Sequence, residues 1–244
     1  MDKSYNYILL SSNEPVYNYH FHPNNPLILG KNPEIGVKSF LLWYTYPNIS
    51  DKYNNSKVRI FHDNSWTDIN IPKGLYEVEN LGEYLNNVVT NTIPGDEPNN
   101  THVELLVDKS TFHCIVKLGS GIKIDFTDGD LYELLGLENK IYDQPFEKGK
   151  ELINITRGVD KVIVRCDMAV RNEQKELRDA VYDLLPVAKP GEAILHEMEN
   201  IEFYPCKNNV IRELQIKITD LDGNLLEMTE PYSLKLAFKS DKQS

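Results

Sequence analysis

Residues 211–227, IRELQIKITDLDGNLLE, constrain the fold more than any other part of the chain. Leu214, Ile216 and Ile218 alternate with Gln215 and Lys217, the pattern of a strand with one buried face. Asp222-Gly223 supplies a tight turn, because glycine enters the positive-φ region without steric cost. Residues 233–238, SLKLAF, alternate again. This predicts a hairpin at the end of an antiparallel β protein, a kind of chain whose function resides in surfaces more than in a catalytic cleft.

The same pattern recurs upstream. Residues 5–10, 37–46, 57–61, 67–71, 103–107, 111–116, 121–126, 161–166, 181–186 and 193–204 read as strands, the last with a break near Glu199-Asn200. His62-Asp63-Asn64-Ser65 is expected to turn a hairpin, and Gly119-Ser120-Gly121 another. Val78, Leu81, Tyr84, Leu85, Val88 and Val89 recur at helical spacing, with Glu77 and Glu79 suited to the positive end of the helix dipole. Residues 130–135 predict a short second helix closed by Gly136. Residues 13–33 are polar and Pro-rich and read as an extended arm or loop; residues 92–100, 138–150 and 172–178 read as polar connections. Base rates for short strands with two inserted helices favour an all-β jelly-roll β-sandwich. The expected organisation is a strand and Pro/Asn-rich arm over 1–34, a single jelly-roll domain over 35–240 and a polar tail over 241–244.

Composition excludes several function classes. The formal net charge of −11, with basic residues scattered, argues against direct nucleic-acid binding. The N-terminal apolar patch covers only Ile8, Leu9 and Leu10, so neither a signal peptide nor a membrane span is expected. Cys114, Cys166 and Cys206 form no CxxC and suit buried thiols in a reducing intracellular compartment.

Candidate chemistry is sparse. His20-Phe21-His22 sets two imidazoles on one side of an extended segment, as a jelly-roll metalloenzyme requires, but no Glu follows at the needed distance. An aromatic surface segment is the favoured reading, and no metal is expected. Residues 125–130 (DFTDGD) and 220–224 (DLDGN) resemble fragments of calcium loops without the full ligand pattern, so Asp-Gly turns account for them. His113 and Cys114 are strand neighbours whose side chains diverge. With no GxSxG, no HExxH and no phosphate-binding loop, neither enzymatic activity nor a cofactor is expected. Trp43, Tyr44 and Tyr46 form the conspicuous aromatic cluster: alternation sends Trp43 to one face and Tyr44 and Tyr46 to the other, one set for the core and one for an interface or sugar-stacking surface.

Several phrases taken in order carry a family resemblance: residues 71–85 (IPKGLYEVENLGEYL), 124–137 (IDFTDGDLYELLGL), 162–167 (VIVRCD), 185–192 (LPVAKPGE), 201–205 (IEFYP) and 218–226 (ITDLDGNLL). Together they resemble the minor capsid (penton) proteins of Maverick/Polinton elements and adintoviruses, over roughly residues 37–238. Residues 169–176 (AVRNEQKE) and Glu230-Pro231 depart from that pattern. The resemblance implies a jelly-roll subunit at the five-fold vertices of an icosahedral virion, self-associating as a homopentamer beside a major capsid protein of double-jelly-roll type, with no catalytic residues. The arm over 13–33 is then expected to reach an adjacent subunit or the inner face of the shell. The alternative is a soluble jelly-roll binding module, either carbohydrate-binding or a host-domesticated capsid protein.

Overall fold

The computed structural model describes residues 3–92, 101–156, 159, 161–170 and 179–242. In chain order the elements are β1 (Lys3–Ser12), β2 (Val16–His20), β3 (Leu27–Ile28), β4 (Lys31–Trp43), β5 (Lys57–His62), β6 (Ser65–Asn70), α1 (Val78–Thr92), β7 (Val103–Asp108), β8 (His113–Leu118), β9 (Lys123–Asp125), α2 (Leu131–Leu134), β10 (Ile141–Tyr142) and β11 (Phe146–Lys148). Then follow β12 (Val162–Cys166), β13 (Ala180–Leu184), β14 (Ala193–Glu197), β15 (Tyr204–Pro205), β16 (Val210–Ile211), β17 (Glu213–Thr219) and β18 (Tyr232–Asp241). The paired strands are antiparallel, and the fold class is all-β, a jelly-roll β-sandwich carrying two short helices.

The chain divides into two compact units, residues 1–46 with 159–244 and residues 47–158. In unit 1 one large sheet runs β1-β18-β4-β14, with β15 also on β4, the other large sheet runs β13-β12-β17-β2, and β16 and β3 form a two-stranded sheet. β18 carries the first sheet, pairing from Lys3↔Asp241 to Ser12↔Tyr232 with β1 and from Ser233↔Leu41 to Asp241↔Lys31 with β4. Its Tyr232, Leu234, Leu236 and Phe238 are fully buried. Phe40 of β4 meets Tyr182 of β13 edge-on, with ring centroids 6.4 Å apart, so the two sheets share a core. β12 is buried along its length. Its one charge, Arg165, donates to Asp179 at 2.7 Å and to the Thr219 hydroxyl at 3.0 Å, the pairing that a buried guanidinium requires.

Unit 2 holds two small sheets, β10-β9-β5-β6 and β11-β8-β7, with α1 packed on β7. The helix buries Val78, Leu81, Leu85 and Val89, the face its periodicity predicts. β5 and β6 form the expected hairpin, turned at Asp63 and Asn64, whose φ angles of 46° and 58° suit a two-residue loop.

Several expectations are corrected. Residues 13–33 are no free arm: β2 lies on β17 from Lys217↔Val16 to Glu213↔His20, and β3 on β16, because their backbone groups find partners there. Residues 35–240, read as one domain in the sequence, divide between the two units, with 47–158 forming the second. The hairpin expected after β17 shrinks to one bridge, Thr219↔Leu225, beyond a turn in which Gly223 has φ 86°. β18 then lies in the other sheet, as a jelly roll demands. Gly119 to Gly121 likewise turns no hairpin, since β8 pairs with β7 and β11 while β9 pairs with β5 and β10. Residues 138–150 contain β10 and β11. The connections expected at 93–100 and 172–178 lie outside the described residues.

The stretch at 198–203, the break expected in the strand over 193–204, crosses β4 at Gly36. A Cβ there would lie 2.3 Å from the Glu202 carbonyl oxygen and 2.5 Å from Ile201 Cγ2. Gly36→Ala is expected to cost about 1–3 kcal/mol by overpacking, read as a lower urea midpoint at unchanged slope.

Candidate assembly surface

β1 ends its sheet, so one row of its backbone N–H and C=O groups faces away from β18. Its pairing with β18 runs from Lys3 to Ser12 without a register shift. Edge strands are commonly guarded by charge, proline or a bulge. Along β1 the only charge is Lys3, itself 2.6 Å from Asp241, and the strand contains no proline. Alternation puts Tyr5, Tyr7 and Leu9 on one side, and they are 50%, 52% and 71% exposed.

The register extends this face across the sheet. Leu9 lies opposite Lys235, which lies opposite Ser39, and Ser11 leads through Ser233 to Leu41 and Leu195. Trp43, the last residue of β4, faces Ala193. Leu195 and Trp43 are both exposed. Two lysines of β18 on this face lie over aromatic rings: Lys235 Nζ is 5.3 Å from the Tyr7 centroid and Lys239 Nζ 4.2 Å from that of Phe203. Lys239 also pairs with Glu34 at 2.7 Å. The result is a mixed face, in which Tyr5, Tyr7, Leu9, Leu41, Trp43 and Leu195 stand among Ser11, Ser233, Ser39 and the exposed Glu197, ending at a strand edge that has no strand partner beyond β18 among the described residues.

The three aromatic residues singled out in the sequence separate. Trp43 stands at the corner of this face. Tyr44 and Tyr46 follow the end of β4 and are buried, 1% and 3% exposed, with rings 4.9 Å apart and tilted by 52°. Burial pushes the Tyr44 phenol above its ordinary range. Neither ring offers a stacking face to a sugar. Tyr5, Tyr7, Leu9 and Leu195 were missed as site residues; the signal was there in the alternation of β1, but it does not say which face is covered.

The other candidates resolve into local structure. His20 pairs with Glu213 at 3.4 Å, and His22 Nδ1 accepts from the Asn24 N–H at 3.3 Å. Asp125 accepts from the Thr127 N–H and hydroxyl, and Asp220 from the Asn224 N–H and side-chain amide, so both carboxylates close their own turns. Burial pushes the thiols of Cys114, Cys166 and Cys206 up to about 12, so each stays protonated near neutral pH. Among the described residues, no group of three or more His, Cys, Asp or Glu is placed to hold a metal, and no helix is long and apolar enough to cross a membrane.

No family model matches the chain, and no curated protein matches it. Among solved structures, the mavirus penton protein is similar in fold, with a TM-score of 0.56 at 12% sequence identity, over 98% of this chain and 100% of that one. At that identity the likeness concerns the fold, and it extends through both units.

Truncating the buried ring in Tyr44→Ala is expected to cost about 3–5 kcal/mol, whereas Trp43→Ala, at an exposed strand end, should cost under about 1 kcal/mol. Tyr44→Phe removes a buried hydroxyl that has no hydrogen-bond partner among the described residues and should leave stability unchanged or raised. Urea unfolding of the three variants checks the order.

Proposed function

We propose that this chain is a structural virion protein, the minor capsid (penton) subunit at the vertices of an icosahedral shell, of the kind made by Maverick/Polinton elements and adintoviruses. The observation that carries the reading is the fold likeness to the mavirus penton protein, which spans the chain from end to end. The exposed sheet face and open edge of β1 supply what such a role needs, a surface able to meet another copy.

On this reading copies self-associate in a closed ring, a homopentamer, beside a major capsid protein of double-jelly-roll type. Ring closure requires a heterologous contact, in which one patch meets a different patch on the next copy. β1 supplies one such patch: an incoming strand gains main-chain hydrogen bonds, and Tyr5, Tyr7 and Leu9 contribute apolar area. On this reading the role is non-enzymatic, the location is the capsid, and neither direct nucleic-acid binding nor a membrane span is part of it.

Light scattering with negative-stain images of the purified chain is expected to show closed rings, alone or on co-expression with a double-jelly-roll major capsid protein. Leu9→Asp with Tyr7→Asp places two carboxylates on the edge and should return rings to folded monomers. A chain that stays monomeric and fails to join such a shell would overturn the reading.

A further inference from the structure

Unit 2 carries a second surface that the vertex reading does not use. A pocket of about 320 Å³ lies between the start of α1 and the β7–β8 turn. Val107, Phe112, Ile153 and Ile155 give it apolar walls, and Glu77 and Glu79 line the helix side. A neighbouring groove of about 420 Å³ continues along α1 against β7 and shares Glu79, adding Glu83 and Glu104. The groove exists because Gly82 lets the helix sit close to the strand, where a Cβ would lie 2.7 Å from the Leu105 nitrogen.

Phe112 is placed against its own preference. The turn joining β7 to β8 closes with the Phe112 N–H donating to the Asp108 carbonyl at 2.6 Å, and it holds Phe112 at φ 56°. Glycine and asparagine are the usual occupants of that backbone region, and a bulky residue there costs free energy. The ring gains little burial in return, being 64% exposed. Leu152 is 61% exposed beside Ile153, whose N–H donates to the Phe112 carbonyl at 3.0 Å.

Charge decides what fits. No Lys, Arg or His lines either cavity among the described residues. Glu104 is paired with Lys117 at 2.8 Å, but Glu77, Glu79 and Glu83 form no ion pair among those residues. An anionic or purely apolar occupant would leave these carboxylates repelled or desolvated, whereas a cationic one pairs them.

We infer that this pocket docks a short segment of a partner protein, one Leu or aromatic side chain seated against Phe112 and flanking Lys or Arg residues lying along Glu77, Glu79 and Glu83. The anchor supplies burial and the flanks supply selection. The inference rests on unit 2 alone and stands apart from the vertex reading.

The test is selection of a phage-displayed library of random peptides on the purified chain, followed by fluorescence anisotropy with the enriched peptides. Enriched sequences should pair an apolar anchor with Lys or Arg, and their affinity should fall with salt. Phe112→Asn, which suits the backbone at that position, should weaken them about tenfold or more while its thermal midpoint stays level or rises. Glu77→Gln with Glu79→Gln should weaken them and flatten the salt dependence. No enrichment, enriched peptides without cationic flanks, or equal binding to Phe112→Asn would overturn the inference. Self-association that Phe112→Asn abolishes would assign the pocket to a second copy and overturn it equally.

Discussion

The ladder that β18 makes with β1 and β4 sets the rest of unit 1. β1 and β18, 238 positions apart at Lys3 and Asp241, pair from Lys3↔Asp241 to Ser12↔Tyr232, so this part of the sheet forms only by long-range pairing. Such non-local pairing pays loop-closure entropy before any contact rewards it. Loop-closure cost rises slowly with length, so a chain that leaves unit 1 after Tyr46 and re-enters it at Val159 still closes the ladder. Four large side chains of β18, Tyr232, Leu234, Leu236 and Phe238, reward the closure by burying their full surface.

That arrangement has a consequence for β1. β18 uses one side of it, and no strand among the described residues uses the other. A long regular edge is an aggregation hazard in a monomer, and monomers pay to blunt it. Here the edge is left regular and flanked by exposed Tyr5, Tyr7 and Leu9. An edge of this kind is costly in a chain that works alone and useful in one that works as a copy among copies, which is the physical link between this sheet and the shell role proposed above.

The strands were legible wherever one face is buried and the other wet. Leu214, Ile216 and Ile218 of β17, and the buried face of α1, lie where their periods put them. The turn at Asp63-Asn64 was legible because its dihedral demand selects particular residues. Pairing was not. The phrase after β17 has hairpin chemistry, yet β18 departs for the other sheet, since alternation marks a strand without naming its neighbour. β2 was hidden because it is short and sits in a polar, Pro-rich stretch; it is an edge strand on β17 in which the half-buried Tyr17 and Tyr19 alternate with the exposed Asn18 and His20, too brief a signal to separate a strand from a loop. Of the candidate surface, Trp43 was visible as an aromatic at a strand end. Tyr5, Tyr7 and Leu9 read as an ordinary alternating strand, because exposure is a property of the assembled sheet.

The net charge of −11 limits where two copies can touch. Like-charged copies repel, though screening confines this to about 8 Å at physiological ionic strength, so the repulsion that counts is local. On unit 2, Glu77, Glu79 and Glu83 are carboxylates without an ion pair among the described residues, and a second acidic chain meeting them would desolvate charge against charge. On the sheet face most of the charge is engaged: Glu34 is matched by Lys239, Asp241 by Lys3, and Lys235 lies over Tyr7, which leaves Glu197 of β14 as the carboxylate without an ion pair among the described residues. A copy of the same chain therefore meets least resistance where the charge is cancelled within the fold. A cationic partner gains most where it is not.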